Sequence, residues 1–111
     1  MESANPTHAM ALLNPPGAPA RVCVSIMIRP AEYPSFRACM REGYPLPEHF
    51  SLWTRQQRAE EEAMRAHGIR VDYVTAHHAE FIEFCEKLGK PPSHDLLVAY
   101  AITMRSRRKP W

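Results

Sequence analysis

The sequence predicts a small two-layer α+β domain, two strands packed by four helices in the order β-α-α-β-α-α. Three observations carry that expectation. Two short runs, Val22–Ile28 and residues 69–74, are rich in β-branched residues and have the length of strands. Each run is followed by two longer segments whose apolar residues recur at helical spacing. Glycines at 43, 68 and 89, the first and last with prolines just beyond, fall where those helical patterns stop.

Residues 1–20 hold Pro6, Pro15, Pro16, Pro19 and Gly17 and read as a disordered tail. The domain is expected over residues 21–106, with a basic tail at 107–111. Ala18-Pro19-Ala20 has the form of a signal cleavage site. No basic residue precedes Arg21, and the apolar run at 9–13 is short, so no exported leader is expected.

Val22–Ile28 is almost continuously apolar, as in a strand buried on both faces, and Pro30 ends it. A short helix is expected over 34–42, with Phe36, Cys39 and Met40 on its inner face. The longest helical pattern covers 47–67. Its expected inner side carries Leu52, Trp53, Ala59, Ala63, Met64 and His67. Arg55, Arg58, Glu61, Glu62 and Arg65 fall on the outer side. Glu60-Glu61-Glu62 could be taken for an acidic metal site. The spacing of Glu61 from Arg58 and Arg65 favours ion pairs on a solvated face instead. Phe50 and Trp53 are expected to anchor this helix to the core rather than to face a partner.

In 69–74, Ile69, Val71 and Tyr73 alternate with Arg70, Asp72 and Val74, giving a second strand with one wetter face. The helix over 75–88 has Thr75 as its expected N-cap and Gly89 past its end. His77, His78, Phe81, Ile82, Phe84, Cys85 and Leu88 share one arc. Lys90-Pro91-Pro92 turns into a last helix over 93–106, capped by Ser93, with Asp95 in its first turn. Residues 96–104 are apolar almost all round, so this helix expects cover on every side. Leu96, Leu97, Tyr100, Ala101 and Met104 form the stripe towards the core. Val98, Ala99 and Ile102 lie opposite and are the expected protein interface.

The chain's 111 residues carry 14 basic and 12 acidic side chains, a net charge of +2, so the balance calls for neither nucleic acid nor a membrane surface. Three cysteines without CxxC spacing read as reduced thiols in a cytosolic protein. No apolar run reaches the length of a membrane span.

His77, His78 and Cys85 form the one cluster that resembles a site. His78 and Cys85 share a face but are two turns apart, roughly 10 Å, too far for one metal ion without help from another element. The ordinary reading is a pair of histidines at the start of a core-facing helix and a thiol that acts as a small hydrophobe. Arg105, Arg107, Arg108 and Lys109, followed by Trp111, form the one basic cluster and could meet phosphates. A tail that complements the helix dipole accounts for it as well. No Gly-rich phosphate loop, GxSxG or HExxH is present, and no cofactor is expected.

The function these features favour is a small interaction or accessory module that works as a homodimer or in a complex. Two strands cannot satisfy their edges alone, so two copies would either join their strands or meet through the last helix. A nucleic-acid-associated regulator using the basic tail is the second reading. A metal protein or enzyme built on His77 and His78 is the third.

Overall fold

The computed structural model describes residues 10–13, 21–40 and 46–108. In chain order it contains β1 (Met10–Leu13), β2 (Val22–Ile28), α1 (Tyr33–Cys39), α2 (Phe50–Ala66), β3 (Arg70–Ala76), α3 (His78–Leu88) and α4 (His94–Arg108). From β2 onward the order is β-α-α-β-α-α, the α+β arrangement expected from the sequence.

The sheet has the order β1-β2-β3. β2 and β3 run parallel, with Val22 opposite Arg70 and Ile28 opposite Ala76. β1 runs antiparallel to β2, with Met10 opposite Ser25 and Leu13 opposite Val22. β1 corrects part of the expected tail. A central strand buried on both faces must also have its backbone groups bonded along both edges. β3 serves one edge of β2 and β1 serves the other. Residues 1–9 and 14–20 lie outside the described residues.

The helices divide between the two faces of the sheet, which refines the expected two layers. Neighbouring residues of a strand point to opposite faces. Tyr73 bonds to α2, while Asp72 bonds to α4. α2 therefore covers the face of Ser25, Met27 and Tyr73, and α4 covers the face of Val24, Asp72 and Val74. The expected faces of β3 are exchanged. Asp72, Val74 and Ala76 are buried, whereas Tyr73 is half-exposed and Val71 is intermediate.

Aromatic rings fill the core at one end of the sheet. Phe36 of α1 stacks on Phe81 of α3 at 5.7 Å, and Phe81 and Phe84 both meet Tyr100 of α4 edge-on. These contacts close the α3–α4 hairpin that the Pro91-Pro92 turn implies. Tyr33 packs on Phe50 and Trp53, so those two residues do anchor α2. The Tyr33 hydroxyl donates to the Pro47 carbonyl at 2.5 Å, and burial pushes its pKa up to about 12.

The helix ends follow local chemistry in part. Gly68 and Gly89 have φ of 77° and 67°, the left-handed region where a glycine avoids the Cβ clash. After α2, Gly68 N–H bonds to Arg65 O and Ile69 N–H to Met64 O. After α3, Gly89 N–H bonds to Glu86 O and Lys90 N–H to Cys85 O. Both are the paired bonds of a Schellman ending. Ser93 Oγ accepts from Leu96 N–H at 3.2 Å, the expected cap of α4. Thr75 is not the cap of α3. It lies inside β3, and His77 is the N-cap residue. α2 begins at Phe50, three residues later than expected. The expected end of the first helix and its Gly43 stop lie outside the described residues.

Candidate functional site

A cleft of about 360 Å³ opens between α2 and the exposed side of β2–β3. Met27, Phe50 and Trp53 give it an apolar wall, and Gln57, Glu61 and Tyr73 give it a polar one. Met27 and Tyr73, 49% and 43% exposed, stand at its lip.

The polar wall corrects the expected face of α2. The residues α2 buries are Trp53, Gln57 and Glu61, one per turn, while Ala59, Ala63 and His67 are exposed. Glu61 is only 7% exposed. Its two carboxylate oxygens accept from Ser25 Oγ at 2.7 Å and from Tyr73 OH at 2.9 Å. Tyr73 OH in turn accepts from Arg65 Nη2 at 2.5 Å, so Arg65 reaches Glu61 only through the tyrosine. Gln57 Nε2 donates to Ser25 Oγ and to Ile26 O, each at 3.4 Å. A polar helix face can lie inward here because the sheet beneath it presents hydroxyl groups. Beneath the same helix, burial and then the carboxylates of Glu60 and Glu61 push the Cys23 thiol up to about 11.

A second polar group gathers where the parallel strands end. Glu32, just past β2, accepts from the N–H of His78 at 2.6 Å and so caps α3 from a distant part of the chain. That bond is the main reason its pKa is lowered. His77 Nδ1 lies 3.7 Å from the same carboxyl group. Tyr100 OH donates to Glu80 at 2.8 Å and accepts from His77 N–H at 3.4 Å.

The residues singled out in the sequence are scattered across this frame. The His78 ring packs edge-on against Phe36 at 5.4 Å. Cys85 is buried one side of α3 away from solvent, and burial raises its pKa, as it does for Cys39. His77, His78 and Cys85 do not converge. Among the described residues no three His, Cys, Asp or Glu side chains are placed to hold a metal ion. Arg105 is not part of an exposed basic cluster. It is 2% exposed, and its Nε and Nη2 donate to Asp72 Oδ2 at 2.9 and 2.6 Å. Arg107 is exposed, the side chain of Arg108 is not described, and Lys109 and Trp111 lie outside the described residues. Val98, Ala99 and Ile102 are half-buried within the chain, and Leu97, Tyr100 and Ala101 are buried. Glu32, Gln57 and Glu61 had no signal in the sequence that set them apart, because their partners lie far along the chain. No helix among the described residues is long and apolar enough to cross a membrane. No protein-family model matches the chain, and neither does any curated protein or solved structure.

Proposed function

We propose that this chain is an interaction or accessory module that acts as a homodimer, joined through the free edge of β3. The observation that carries the reading is the position of β3. It is a seven-residue strand with β2 on one side and no strand on the other among the described residues. Arg70 N–H points to β2, where it meets Arg21 O, so by alternation Val71, Tyr73 and Thr75 turn their backbone groups to the outer edge. An unpaired row of this kind is a template for another strand.

A two-fold axis through Tyr73, the middle residue of β3, pairs the strand with its own copy in antiparallel sense. Arg70 then faces Ala76, Val71 faces Thr75 and Asp72 faces Val74, so no like charges meet. The two half-exposed Tyr73 rings become cross-strand neighbours, a favourable aromatic pair. The result is one six-stranded sheet. The alternative route through Val98, Ala99 and Ile102 has less to offer, since those side chains are already half-buried. None of the three cysteines is in a disulfide, which suits a reducing compartment such as the cytosol. A nucleic-acid role is weakened by the enclosure of Arg105.

Light scattering tests the reading. The expected mass is twice the chain's 12.7 kDa. Val71→Pro and Thr75→Pro each remove an outward N–H without touching the β2 ladder. Both should give folded monomers by circular dichroism. A wild-type monomer at high concentration, or folded proline variants that stay dimeric, would overturn it.

A further inference from the structure

The cleft beneath α2 contains an ionic imbalance. Glu61 is more than nine-tenths buried, yet among the described residues no cation lies within ion-pair distance of it. A buried carboxylate held only by neutral hydroxyl groups is costly, because desolvation is not offset by an opposite charge. Two hydrogen bonds also leave acceptor capacity on both oxygens, since a carboxylate can accept about four. The cations nearby do not remove the imbalance. Arg65 is one tyrosine away, and Arg58 is an exposed side chain at the rim.

The remaining walls suit the rest of an amphipathic molecule. Phe50, Trp53 and Tyr73 bring three aromatic rings to the cleft, and Met27 adds a flexible apolar lip. Ring faces attract ammonium groups at distances up to about 6 Å. At about 360 Å³ the space falls near the lower end of small-molecule sites, which run from about 300 to 1,000 Å³.

We propose that the cleft between α2 and β2–β3 binds a small organic cation, a primary amine carrying an aromatic or branched aliphatic group. The ammonium donates to Glu61, and the apolar group lies against Phe50, Trp53 and Met27. Anionic ligands are disfavoured by the carboxylate that lines the cleft. The proposal does not depend on the dimer.

Titration of the ¹⁵N-labelled full chain with three probes of one shape tests it: phenethylamine, 2-phenylethanol and 3-phenylpropionate. Phenethylamine should give saturable shifts of the Ser25, Met27, Gln57 and Tyr73 amides. The alcohol should bind at least about 10-fold more weakly, and the carboxylate more weakly still. Glu61→Gln should erase the preference for the amine over the alcohol. Phe50→Ala, at the half-buried rim, should weaken amine and alcohol alike, and it serves if Glu61→Gln does not fold. Equal binding of amine and alcohol, preference for the carboxylate, or no saturable shift up to about 10 mM amine would overturn the proposal. So would tighter binding of a lysine-containing peptide, which would make the cleft a protein-docking site.

Discussion

Asp72 and Arg105 stand 33 positions apart and meet inside the molecule through two hydrogen bonds to one carboxylate oxygen. They are not equivalent. Asp72 also has Arg70 beside it at 3.4 Å, on a side chain that is mostly exposed. Arg105 is fully enclosed. Removing the carboxylate takes two hydrogen bonds from a guanidinium that is 2% exposed, whereas removing the guanidinium leaves Asp72 with Arg70 still beside it. Asp72→Ala should destabilise the fold by about 3–5 kcal/mol, the range for breaking a buried pair. Arg105→Met should cost clearly less, because the methionine keeps much of the packed volume. Urea midpoints of the two variants would check the order. Glu61 follows the same physics with a different answer, since its partners are neutral. Neither buried charge was legible in the chain. Residue type and helical spacing place Glu61 and Arg105 outside, and only the partners across the fold reverse that.

At the scale of elements, the chain's punctuation was easy to read and its polar faces were not. Val22–Ile28 could be recognised because a short run rich in β-branched residues, closed by Pro30, fits a strand with both faces largely covered. The ends at Gly68 and Gly89, and the cap at Ser93, depend on the residue itself and its immediate neighbours. The start of α3 is different. Its cap comes from Glu32, 46 residues earlier, so no local pattern announces it. This cap makes a pH prediction. Glu32 has its pKa lowered from 4.5 in the folded chain, chiefly by the bond from His78 N–H. Its contribution to stability is present above about pH 4.5 and is lost as pH falls through the lowered value. Glu32→Gln should thus melt lower than the parent chain near neutral pH, and the gap should close in acid. Thermal melts of both proteins across that range would show it, and a gap independent of pH would refute the assignment.

At the scale of the whole molecule, β3 is both part of the core and an open edge. If two copies join there, association and folding are linked, and the melting midpoint should rise with protein concentration. The Val71→Pro chain should melt at a midpoint that does not change with concentration. Periodicity and each residue's own backbone preference are enough for the α+β class, the β-α-α-β-α-α order and the ends of two helices. Helical spacing also puts Phe36 and Met40 inward, since an apolar side chain needs no particular partner to be buried. Which strand edges meet, the place of residues 10–13 in the sheet, and which polar groups turn inward depend on contacts between distant parts of the chain. A charge or a carboxamide enters a protein interior only where another part of the chain supplies its counterpart, and separation along the chain carries no record of that meeting.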